Sequence, residues 1–238
     1  DEIFEIFDSS EVKTQEDAIE LFKTGHRIDS GGGAVGAGGE TASPQSGGGA
    51  GGYLNSYASE ASGANSSSLN AITFNTAEMY SITIGAGGAI DTNGSNTSLS
   101  GTDFNGGSVS LVAIGGGAGG DYATTDAAGG GQDGGSGGGG GYGGPSGSNV
   151  EMWQRGNGTS NQGTIGGNAY VTLQFPSMCS QFGFGSGWCG TNNAKGGGGG
   201  GASSAGTYGQ SSGAGGAGLA SSITGSSVTR AAGGSGRG

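Results

Sequence analysis

Cations are scarce in this sequence: seven Lys and Arg stand against 18 Asp and Glu among 238 residues, with one histidine. Phosphate recognition draws on clustered Lys and Arg, so nucleic acid is excluded as a partner. The histidine, His26, has no metal-ligand or nucleophile motif around it. Without H-E-x-x-H, a G-x-S-x-G elbow or a glycine run ending in Gly-Lys-Ser/Thr, the chain offers no basis for an enzyme, and no cofactor or metal site is expected. Apolar runs of membrane-spanning length are also missing. Three prolines and no glycine at every third place exclude a collagen helix. Two cysteines, Cys179 and Cys189, are too few for a zinc site or a disulfide scaffold. They leave two readings open, one disulfide across a short loop or a pair of buried thiols. Large aliphatics are sparse too, and a side-chain core for the whole chain cannot be built from them.

Glycine fills the space, with 64 residues. It has nothing to pack and loses more backbone freedom on ordering than any other residue, so an ordered glycine chain must be held by its own amides and carbonyls. The organising stretch runs from Met79 to Gly144, where MYSITIGAGGA is answered by SVSLVAIGGGAGG and then by GGGQDGGSGGGGGYGG. The spacing predicts short strands feeding extended, three-per-turn glycine rods of polyglycine II type, each rising roughly 3.1 Å per residue and bonded side by side. The fold class expected is mainly β and irregular, with stacked polyglycine II segments and a short N-terminal helix. A calcium-binding β-roll fails on spacing: AGGGQDGGSGG has Gln132 out of place and no repeat follows, leaving Asp133 as a turn residue.

Residues 1–29 read differently from the rest. Nine of the 18 acids fall there, DEIFEIF alternates imperfectly as a short strand would, and Thr14, Asp17 and Gly25 frame a helix of about ten residues. Its apolar face, Ala18, Ile19 and Phe22, is too small to stand alone and is expected to dock on something. No signal-peptide pattern opens the sequence at Asp1, as expected of a processed chain or a piece of one. The composition switches at Ser30, so the domains expected are 1–29, an acidic attachment segment, and 30–238, a glycine-rich body. Within the body, 55–70 reads as a surface excursion. AITFNTAEMYSITIG reads as two β-prone pieces about a turn at Asn75–Glu78, and 91–107 as turn-forming. SVSLVAI is a half-buried strand on Val109, Leu111 and Ile114, and NAYVTLQF is a further strand.

YSITIGAGGA, the turn-rich NGSNTSLSG, SLVAIGGGAGG and above all GGAGLASSITGSSVTRAAGGSG resemble the glycine-rich domain of bacteriophage tail-fibre and virion structural proteins. The likeness covers about Ser30 to Gly238, and Gly218–Thr229 is its most specific piece. Arg230 stands where the family has an aromatic, and Met152–Trp188 has no counterpart in the pattern. The resemblance implies a virion component at the particle surface, extracellular, often at a fibre tip where adhesins present host-binding loops at one end of stacked polyglycine II helices. It implies two readings. In the first, the chain binds a host cell-surface receptor, protein or glycan, during adsorption, and attaches to other virion subunits through its N-terminal segment. In the second, it is a non-adhesive structural protein of capsid or tail fibre. Both are compatible with a homo-oligomer. The receptor-binding candidates are the aromatics Tyr122, Tyr142, Trp153, Phe182, Phe184, Trp188 and Tyr208, which offer large contact area at small rotamer cost. The alternative for each is shielding the ends of the glycine lattice.

Overall fold

The computed structural model describes residues 46–75, 77–121, 129–143, 151–152, 154–171, 194–209 and 213–236, together with the strand at 27–29. The helix expected between Thr14 and Gly25 lies outside them. The described chain is short strands joined by irregular extended backbone: β1 Arg27–Asp29, β2 Tyr53–Asn55, β3 Ser81–Thr83, β4 Thr97–Thr102, β5 Ser108–Ala113, β6 Tyr142–Gly143, β7 Glu151–Met152, β8 Tyr170–Val171, β9 Ala194–Lys195, β10 Leu219–Ser221 and β11 Val228–Arg230. β3–β4–β5 form an antiparallel three-stranded sheet, and the others pair as β1–β2, β6–β7, β8–β9 and β10–β11. β1 precedes the boundary expected at Ser30, yet it pairs with β2 of the body, Ile28 opposite Leu54.

The glycine segments bond to one another with a three-residue period. The 197–202 segment displays it in full. Gly197 and Gly200 donate to the carbonyls of Gly140 and Gly137, Gly198 and Gly201 to Thr207 and Ser204, and Gly199 and Ala202 to Gly234 and Ala231. Its own carbonyls at 197 and 200 accept from Gly47 and Ala50, those at 198 and 201 from Gly167 and Thr164, and that at 199 from Gly216. One extended segment is thus ringed by six others, three receiving its N–H groups and three supplying theirs. The 134–141 segment repeats the scheme: 134, 137 and 140 donate to Asn157, Thr164 and Gly167, while 136 and 139 donate to Ala50 and Gly47. Amides at every third residue point the same way, so each direction serves one neighbour.

Glycine is required there for space. A Cβ at Gly139 or Gly197 would fall within 3.0 Å of backbone in the next segment, as would one at Gly47, Gly137 or Gly199. The few other residues inside the lattice are the smallest available, and their hydroxyls are used: Ser46 Oγ donates to the Gly140 carbonyl at 2.6 Å and Ser136 Oγ to that of Gly201 at 3.1 Å. Ala50, Ala118 and Ala202 are buried.

At one end the lattice runs into side-chain packing. Leu54, Leu99, Val109 and Ala113 form a small core, with Leu69, Ile72, Phe74, Tyr80 and Leu111 packed against it. The alternation is clean: Ile82, Leu99 and Leu111 face each other across one side of the sheet, and Ser81, Ser100 and Ser110 across the other. Tyr80 closes the far edge, its ring edge-on to Phe74 with centroids 4.6 Å apart and its hydroxyl donating to the Thr102 carbonyl. Gln162 couples sheet to lattice. Its Oε1 accepts from Ile114 N–H at 2.8 Å and its Nε2 donates to the Val112 carbonyl at 3.0 Å, so a side-chain amide occupies the outer edge of β5.

Two stretches differ from the sequence-based expectation. Within 91–107, six residues form β4, the central strand, because pairing on both sides and a buried Leu99 outweigh weak local β-propensity. Within 55–70, Asn55 and Ser62 are fully buried. Asn55 Nδ2 donates to Glu60 Oε2, and Ser62 Oγ both donates to the Asn55 carbonyl and accepts from its N–H, so the excursion is stitched back onto β2.

Candidate functional site

The lattice has two unlike ends. At the sheet pole, Gly52 donates to the Ile114 carbonyl beside β2 and β5, and Ala202 donates to Ala231 next to the β10–β11 hairpin. The hairpin is fastened there by Glu60, whose Oε1 accepts from Ser222 N–H at 2.9 Å and Ser222 Oγ at 2.7 Å. Burial alone would raise the Glu60 pKa. The hydrogen bonds from Ser221, Ser222 and Asn55 outweigh it and hold the carboxyl below its ordinary value. β1 joins at this pole through its pairing with β2. Phe104 and Met79, 67% and 88% exposed, are carried by the loops at the outer edge of the sheet.

The opposite end is the connection pole. Ser46 donates to the Gly120 carbonyl, Gly141 to Gly129, Gly197 to Gly140, Gly209 to Asn168, Gly213 to Tyr208 and Gly236 to Gly213. Described residues at this end stand next to 122–128, 144–150, 172–193 and 210–212 on both sides, and Ser46 follows 30–45 here. Asp121 and Gly129, Gly143 and Glu151, Val171 and Ala194, and Gly209 and Gly213 therefore all lie at the same end, as does Ser46, opposite the pole where β1 joins.

Among the sequence-predicted candidates, Tyr208 is half-buried at this pole, its ring edge-on to Tyr170 with centroids 5.6 Å apart. Tyr142 lies in β6 opposite Met152, also at this pole. Tyr122, Trp153, Phe182, Phe184, Trp188, Cys179 and Cys189 lie outside the described residues; Tyr122 directly follows Asp121, and Phe182, Phe184, Trp188 and both cysteines fall between β8 and β9.

Tyr170, which the sequence did not single out, packs against Tyr208. Tyr170 is directly opposite Lys195 in the β8–β9 ladder. Two residues before Tyr170, Asn168 Oδ1 accepts from Arg155 Nη1 at 3.1 Å. The Arg155 Nε is enclosed and has no acceptor. Across the pole the charge reverses: Asp91 is pushed up in pKa by burial and then by the negative charge of Asp121. The 114–120 segment leading to Asp121 bonds to 46–52 and to 134–141, which in turn bond to the segments carrying the basic flank, so lattice separates the two. No described helix is long and apolar enough to cross a membrane, and no described cluster of three or more His, Cys, Asp or Glu could hold a metal ion.

No protein-family model matches the chain, and searches of curated proteins and of solved structures return no match either.

Proposed function

We propose that this chain is the receptor-binding tip protein of a bacteriophage tail fibre, a rigid polyglycine II lattice that holds host-binding connections at one pole and attaches to the particle through the other. The observation that carries the reading is the polarity of the lattice. The described residues on either side of 122–128, 144–150, the aromatic-rich 172–193 and 210–212 all lie at one end, while β1 joins at the opposite end. Recognition surfaces are commonly carried on connecting segments held by a rigid scaffold, and pre-organisation of that scaffold lowers the entropy lost on binding.

The polyglycine II assignment is supported by the three-residue period of the hydrogen bonds and by the six neighbours around 197–202. Seven residues from Ser46 to Gly52, at roughly 3.1 Å each, make a rod of about 20 Å. The acidic segment 1–26, with its expected short helix, is the attachment element. Receptor contact falls to Phe182, Phe184 and Trp188 within 172–193, joined by Tyr122, Tyr142, Trp153 and Tyr208.

The test uses the full chain, fluorescently labelled, on host cells. Saturable binding that disappears in Phe184→Ala/Trp188→Ala without a change in thermal unfolding supports the reading. Deleting 1–26 is expected to leave cell binding intact and to abolish incorporation into particles. Absence of saturable binding at micromolar concentration supports the non-adhesive structural role instead.

A further inference from the structure

The basic flank of the connection pole has a chemistry of its own. Arg155, Lys195 and Arg230 are the cations among the residues whose side chains are described. Arg230 is at the sheet pole, where burial pulls its pKa down against the opposing effect of Tyr53. Of the other two, Lys195 pairs with Tyr170 across the β8–β9 ladder and Arg155 bonds to Asn168, two residues before Tyr170. In a chain of net charge −11 this is the place where an anion meets the least repulsion.

We infer that Tyr170, Tyr208, Lys195 and Arg155 form a binding site for an acidic saccharide, a sugar carrying a carboxylate or phosphate group. The inference rests on the receptor-binding reading for its biological role, but the site stands on its own geometry. Two edge-to-face rings present one ring face and one ring edge, a corner into which the C–H face of a pyranose fits. Tyr170 and Lys195 are direct cross-strand partners, so their side chains leave the β8–β9 ladder on the same side. The ammonium is exposed and meets the anionic substituent from solvent. Arg155 is fixed by Asn168 through Nη1 with its Nε enclosed, so it adds positive charge on this side of the pole while Lys195 meets the anion. Neutral sugars would use the rings and leave both cations unanswered. Free anions would use the cations and leave the rings bare.

The experiment titrates the full chain with an oligogalacturonate, with glucose 6-phosphate, with neutral maltohexaose and with inorganic phosphate, following tyrosine fluorescence and calorimetry. At least one acidic sugar is expected to bind ten-fold or more tighter than both maltohexaose and inorganic phosphate, and which one wins identifies the anion. Lys195→Glu, an exposed change that leaves the fold intact, is expected to weaken that binding at least ten-fold and to flatten its salt dependence. Tyr208→Phe is expected to retain most of the affinity and Tyr208→Ala to lose roughly thirty-fold, the scale of removing a central aromatic anchor. The site is refuted if neither acidic sugar binds at millimolar concentration, if maltohexaose or phosphate alone binds as tightly, or if Lys195→Glu binds like the parent chain. Cell adsorption separates the two readings. Adsorption without acidic-sugar binding removes this site and keeps the receptor role; acidic-sugar binding without adsorption does the reverse.

Discussion

The glycine lattice and the β3–β4–β5 sheet reach order by opposite routes. In the sheet, Leu99 and Val109 are buried against Leu54 and Ala113, and the backbone ladder aligns those side chains. In the lattice almost no side chain is present, and each buried amide of 197–202 is answered by a neighbouring segment's carbonyl. The difference teaches what tolerates change. A sheet core loses stability when side chains shrink, because burial and contacts are lost and a cavity remains. A glycine lattice loses stability when side chains grow, because every direction around a segment is already occupied by backbone.

The largest effect is therefore expected from Gly139→Val, whose Cβ would sit within 3.0 Å of the Gly197 carbonyl. It should destabilise by at least the 1–3 kcal/mol typical of overpacking, about 3 or more here since backbone cannot rotate away. Thermal unfolding measures the loss, and amide exchange across 134–141 locates it. Unprotected glycine amides there in the parent chain would end the lattice account. Leu99→Ala comes next, at about 2–4 kcal/mol, with lost protection confined to β3–β5 while 197–202 stays protected. If both regions lose protection together, they form one cooperative unit and the contrast dissolves. Ser136→Ala sharpens the lattice side. Removing its donor to Gly201 should cost about 1 kcal/mol in chemical denaturation, since the carbonyl is left buried with one partner fewer. The smallest effect is a dependence on pH. Glu60 is held below its ordinary pKa, so its contribution is present above the unfolded value and is lost as pH falls through the lower folded value. Glu60→Gln should flatten stability over that acidic window and loosen the β10–β11 hairpin at neutral pH, which exchange at Ser222 reports.

What the sequence made legible was what is local. YSIT and SVSLVAI read as strands, and β3 and β5 are there. The turn at Asn75–Glu78 is closed by the Glu78 N–H on the Asn75 carbonyl. Glycine runs read as backbone-bonded because no other bonding is open to them. β4 escaped because TSLSGT has one large apolar residue, and its strand character comes from neighbours on both sides. Asn55 and Glu60 looked like solvent-facing polar residues; Asn55 is buried and donates to Glu60, whose other carboxylate oxygen accepts from Ser222, 162 positions away. The same distance effect hid the candidate saccharide site. Tyr208 stood out as an isolated aromatic, whereas Tyr170 read as a strand residue and Lys195 as the edge of a glycine run. Only the order in which the segments stack brings them to one pole, and that order leaves no periodic trace in a sequence so uniform.

The direction of the glycine segments bears on mechanical load. They run from pole to pole, and their amides point sideways, so a pull between the strand at 27–29 and the connection pole acts along the segments and across the hydrogen bonds. Extension then has to shear many parallel bonds at once instead of peeling them one by one, and tension applied at one end reaches the other with little give.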